Sequence, residues 1–139
     1  MFWILIVVFE ECQRNKRLEV KLGDMEEVFK RLEEWGCDVA GALERFLDDK
    51  DLYMTCLEMV ITDSNFDKLG VALEAKNVLE AFDSAHTLKG VFANLGLTPM
   101  FSIIVTIVEP LRGGSAYNLN ENYEKLLASN EQLKSILGK

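Results

Sequence analysis

The residue best equipped for chemistry is His86, the single histidine in the chain. It sits in the run Ala85-His86-Thr87-Leu88-Lys89-Gly90. An imidazole is mostly in its neutral, nucleophilic form near neutral pH, so it can attack an activated phosphorus without a dedicated base. Lys89 lies three residues on, one turn along a helix, where an ammonium can neutralise an oxyanion gained by the ring. Gly90 lies four residues on and removes the side chain that would crowd it. A glycine inside a helix costs roughly 1 kcal/mol against alanine, so its presence there calls for a reason. For a phosphoryl group arriving on an activated donor, positioning and charge neutralisation supply most of the catalysis.

Other chemistries lack their residues. Cys12, Cys37 and Cys56 are scattered, odd in number and without a CxxC pair. They indicate neither a disulfide framework nor a zinc site, so a reducing, cytoplasmic setting and no metal are expected. Nothing resembles a phosphate-binding loop, a nucleophilic Ser or Cys beside a base or a paired-carboxylate site, and the lack of an ATP-binding motif argues against a kinase. The 15 basic and 23 acidic residues leave a formal charge of −8. That balance repels phosphate backbones and anionic lipid, so neither nucleic acid nor membrane is an expected partner. Eleven carboxylates between Asp38 and Asp83 stand against Arg45, Lys50, Lys68 and Lys76, a pattern that reads as a solvated acidic surface.

The elements that must hold His86 are helices. Apolar residues recur at spacings of three and four almost throughout, and there are only two prolines. Met25 to Trp35 is an amphipathic helix closed by Gly36, and Asp38 caps a short helix running to about Leu47. A longer helix follows, with Leu52, Cys56, Met59 and Val60 on one side. Asp63-Ser64-Asn65 supplies turn and cap residues for the next, which carries Phe66, Leu69, Val71 and Leu73 and runs to Lys76-Asn77.

Val78 to Leu95 is the histidine helix. Its buried stripe reads Val78, Ala81, Ala85, Leu88, Phe92 and Leu95, and Gly96 takes the left-handed position past its end. His86 lies one step off that stripe, level with Leu79, Phe82, Lys89, Gly90 and Ala93. Its stem is therefore held by packing while the distal nitrogen reaches solvent. Leu79, Phe82 and Ala93 are either a partly exposed apolar docking patch or simply the edge of the core.

Thr98 and Pro99 then restart a helix as N-cap and first helical residue. Ile103 to Val108 is rich in β-branched residues, but the cap and the helical neighbours outweigh a propensity cost of a few tenths of a kcal/mol per residue. Pro110 should kink or end that helix. A last helix runs from about Asn120 to Leu137, with Tyr123, Leu126, Leu127, Leu133, Ile136 and Leu137 as its apolar side. The expected fold is all-α, an antiparallel four-helix bundle with additional N-terminal helices. Residues 23–139 form the bundle domain and residues 1–22 an apolar extension packed on it. Met1 to Phe9 is apolar but too short to span a membrane, and it lacks the flanks of a signal peptide. It reads as a first helix or strand buried against the bundle or a neighbouring subunit.

The run from Ala85 through Val91-Phe92-Ala93-Asn94-Leu95-Gly96-Leu97 closely resembles the signature of histidine phosphotransfer (HPt) domains of the bacterial stand-alone type. In that signature the histidine is followed by leucine at +2, lysine at +3, glycine at +4 and an asparagine-leucine-glycine close. Residues 23–32 and Leu111-Arg112-Gly113-Gly114 also look like segments of such proteins; Met1 to about Val20 is not clearly covered. The resemblance implies a four-helix bundle and phosphorylation of His86, with Lys89 as electrostatic helper and Gly90 as clearance. It implies a phosphocarrier, not an enzyme, that exchanges phosphoryl groups with receiver domains or a sensor histidine kinase. Magnesium is then expected on the partner receiver and no cofactor on this chain. Two features depart from the family's pattern. Val91 and Phe92 are bulky where small residues are common, and Met100 to Val108 lacks the glutamine with which some members orient the imidazole. The alternative is a helical scaffold or kinase-regulating module without phosphotransfer.

Overall fold

Turns of three to seven residues separate the helices of the computed structural model, which describes residues 24–139. The expected extension over 1–22, with Met1 to Phe9, lies outside the described residues. Helix α1 covers residues 24–35 and buries Met25, Phe29 and Leu32, the 4-3 spacing of one face. Gly36, at φ 107°, ends it. The N–H of Cys37 bonds back to the carbonyl of Leu32 at 2.9 Å and that of Gly36 to Glu33 at 3.0 Å, the paired closure that a left-handed residue permits. Asp38 then caps α2 (Val39–Arg45), its carboxylate accepting from the N–H of Gly41.

Helix α3 (Lys50–Val60) is capped by Asp49, which accepts from the N–H of Leu52. Its buried seam is Tyr53, Leu57 and Val60. This corrects the expected stripe: Leu52 and Met59 are 48% and 65% exposed. The sequence LYMTCLEMV is apolar nearly all round, so spacing allowed two seams one residue apart. The hydroxyl of Tyr53 decides between them, donating to the carbonyl of Leu95 at 2.8 Å in the interior.

Helix α4 (Asn65–Glu74) buries Phe66, Leu69, Ala72 and Leu73; Val71, expected with them, is exposed. Helix α5 (Val78–Asn94) is capped by Asn77 through the N–H of Glu80. It buries Ala81, Ser84, Ala85, Leu88 and Phe92, and Leu95 follows them into the core. Helix α6 (Thr98–Arg112) begins one residue earlier than expected, with Leu97 in the cap position. Leu97 is fully buried. Its N–H closes α5 on the carbonyl of Phe92 at 3.0 Å, while its carbonyl accepts the first bond of α6 from Phe101 at 2.8 Å. The turn is so tight that no separate cap residue fits, and Thr98 instead donates its hydroxyl to the carbonyl of Gly96. The β-branched run is helical, with Ile104, Ile107 and Val108 buried. Pro110 has no N–H to give the carbonyl of Thr106, and the helix ends two residues beyond it. Helix α7 (Asn120–Leu137) buries Leu126, Leu133 and Ile136.

Helix α4 packs on α5, α5 on α6, α6 on α7, and α7 returns to α4. Joined by short turns, these four close an antiparallel bundle, and α1 to α3 are the additional helices. Each large apolar side chain fully removed from water here, such as Leu88 or Phe92, stabilises the fold by roughly 1.5–3 kcal/mol. Tyr123 ties α7 to α4 through the carbonyl of Phe66 at 2.9 Å. Arg45 ties α2 to the end of α5, its guanidinium donating to the carbonyls of Ala93 and Asn94 at 3.0 Å each. The carbonyl of Ala93 also accepts from the N–H of Gly96 at 3.3 Å, and both carbonyls belong to the last turn, where the cation complements the negative end of the helix dipole. The helix bearing His86 is thus anchored at its C-terminal end by both α2 and α3.

Candidate functional site

Four residues of α5 on either side of His86 are sealed in the core: Ala81, Ala85, Leu88 and Phe92. Because the backbone is pinned by that seam, a side chain one step round the helix has its Cα fixed while its end faces water. His86 is such a side chain and is exposed. Its imidazole forms an offset, near-parallel stack with the ring of Phe82, one turn earlier, with centroids 5.4 Å apart and planes 13° from parallel.

Lys89 is half-buried on the same face. Its ammonium lies 5.9 Å from the centre of the Phe101 ring on α6, so its aliphatic stem crosses the α5–α6 groove and its charge rests near that aromatic face. Gly90 is exposed, and a Cβ built on it would meet no atom within 4 Å. The space over that turn is open.

Of the three expected docking residues, Leu79 is 82% exposed, Ala93 is exposed and Phe82 is half-buried. They lie with His86 along one face of α5, Leu79 two turns before the histidine and Ala93 two turns after it. Sequence reasoning missed Arg112. The last turn of α6 brings its guanidinium to 5.5 Å from the centre of the Phe82 ring, and Glu109 holds it at 3.7 Å. Position 112 is far from position 86 in the chain, and only the antiparallel return of α6 joins them. Phe101 was hidden in the same way.

The site therefore offers a solvent-facing aromatic nitrogen base, one aromatic platform beneath it, two cations on neighbouring aromatic faces and unobstructed approach beyond Gly90. The hydroxyl of Thr87 next to the histidine is already committed to the carbonyl of Asp83 at 2.9 Å. Such a surface can receive and release a small anionic group carried by another macromolecule.

Comparison with known proteins bears on this arrangement. A family model for the Hpt domain matches residues 51–135, from the start of α3 to the last turn of α7, with all of α5 inside the match. Among solved structures, the chain is similar to the HPT domain of a sensor hybrid histidine kinase from Shewanella. The TM-score is 0.62 at 16% sequence identity, over 73% of this chain and 90% of that one, a likeness of fold. No curated protein matches.

Proposed function

The chain belongs to the Hpt domain family, which has a phosphotransfer role in two-component signalling, and we propose that it is a phosphorelay intermediate whose carrier is His86. The observation that carries the proposal is the exposed imidazole on a helix whose opposite side is sealed in the core. A ring nitrogen presents its lone pair to the phosphorus of an aspartyl phosphate on a receiver, or of a phosphohistidine on a kinase. The N–P bond forms as the bond from phosphorus to the donor atom breaks, and that atom keeps the electron pair. Transfer to the next receiver aspartate is the reverse.

This chain's residues contribute position and charge. Lys89 swings from the Phe101 face to the phosphoryl oxygens, which a flexible four-carbon stem allows. Gly90 leaves room for the donor's active-site loop. Leu79, Phe82 and Ala93 form the apolar part of the docking surface around that polar centre. The magnesium and acid groups that such a reaction needs belong to the partner receiver. In this reading the chain acts as a carrier, not as an enzyme, in the cytoplasm.

Incubating the protein with phosphorylated receiver domains and magnesium should transfer label to it in an acid-labile, base-stable form. His86→Gln should abolish that label while leaving the circular dichroism spectrum unchanged. Label that never forms, or that survives the substitution, would replace the carrier reading with that of a helical scaffold.

A further inference from the structure

An exposed imidazole on a helix has no intrinsic reason to hold one orientation, because its outer torsion is broad and roughly two-fold. Its attack on phosphorus nevertheless requires a defined one, since the nitrogen lone pair lies in the ring plane. Among the described residues no hydrogen bond or ion pair reaches the ring of His86; its one contact of defined geometry is the near-parallel stack on Phe82. We infer that Phe82 is the positioning residue for His86, orienting the imidazole by its face and leaving both nitrogens free. This rests on the carrier role proposed for His86.

Three observations support it. Positions 82 and 86 are i and i+4, neighbours on the helix surface, so the stack is built into the local sequence. The centroid distance of 5.4 Å lies in the range of favourable offset aromatic pairs. The platform is itself held, because Phe82 is half-buried against the core and Arg112 lies over its ring, tethered by Glu109. A hydrogen bond would orient the imidazole by occupying one of its nitrogens, whereas a face contact does not. Positive charge accumulates on the imidazole as the N–P bond forms, and the electron-rich phenyl face favours that charge. The contact therefore strengthens toward the transition state.

The test separates orientation from docking by using two donors of different size. Phosphoramidate is small and needs no protein interface: its P–N bond breaks as the N–P bond to His86 forms, and ammonia leaves with the electron pair and takes up a proton. A phosphorylated receiver needs the whole surface. Because His86 is the single histidine of the chain, its ring protons are identified directly by NMR. Phe82→Leu should move those protons downfield as ring-current shielding is lost, and should slow phosphorylation by phosphoramidate about three- to tenfold, the range an aromatic pair allows. Phe82→Tyr should restore both, and Phe82→Met serves in place of leucine should that variant lose helical signal. Ring protons that do not move, or a loss seen with the receiver donor alone, would overturn the positioning role and leave Phe82 as a docking residue. A wild-type protein that accepts phosphoryl from neither donor overturns the carrier reading and this role with it, while the NMR comparison still reports whether the stack exists.

Discussion

Gly90 stands in the exposed interior of a 17-residue helix, where a Cβ would touch nothing. Its own helix gains nothing from the missing side chain and loses backbone entropy on folding. Gly90→Ala should therefore raise the unfolding free energy by about 0.5–1 kcal/mol in urea titration. Gly90→Leu should fold equally well yet slow phosphotransfer from a receiver by about tenfold or more, because a small displacement of reacting groups carries a cost of that order. A destabilised alanine variant would mean that the glycine serves the fold instead of the approach to His86. Lys89 shows the limit of reading a residue by its place in a motif. Its spacing predicts a cation beside the imidazole, but its position over Phe101 depends on a second helix.

The clearest elements in the sequence were those with one apolar face and a punctuating residue. Helix α5 has both: its seam from Ala81 to Leu95 is the expected one apart from half-buried Val78 and the additional buried Ser84, and Gly96 has φ 65°. At Gly96 a side chain would drive into the backbone carbonyl of Asp38, so its absence also lets the α1–α2 turn pack against the α5–α6 turn. Helix α3 lacks a single apolar face, and its rotation differs by one residue from the one its spacing predicts. The hydroxyl of Tyr53 meets a carbonyl 42 positions away, and no local pattern encodes that distance. Tyr53→Phe should lower the unfolding free energy by about 1–2 kcal/mol, because the carbonyl of Leu95 is left buried without this partner. An unchanged midpoint in chemical denaturation would show that the bond does not set the register of α3.

For the molecule as a whole, stability should respond to alkaline pH through groups the bundle buries. Burial pushes the Cys37 thiol up from about 9 to about 12, opposed by the backbone N–H of Thr98. Burial also pushes Tyr53 and Tyr123 up. A group whose folded value is raised stays protonated in the native state while the unfolded chain has already lost its proton. Its contribution to stability is therefore complete below the unfolded value and is lost as pH rises through the folded one. The unfolding free energy should stay level in this respect to about pH 9 and fall from there toward pH 12, and Cys37→Ala should make that fall shallower. Urea titrations at stepped pH check both, and an identical slope in the variant would remove Cys37 from the account.

The sequence by itself determined the helical class, the places where the chain turns, the buried seam of α5 and the exposure of His86. All of these follow from spacing along one helix and from residues with a fixed conformational preference. Tertiary structure alone decided which face of α3 turns inward, where Lys89 rests, and that Arg112 meets Phe82 beneath the histidine. Those outcomes depend on contacts between side chains from different helices, and helical periodicity holds no record of which turn of one helix will face which turn of another.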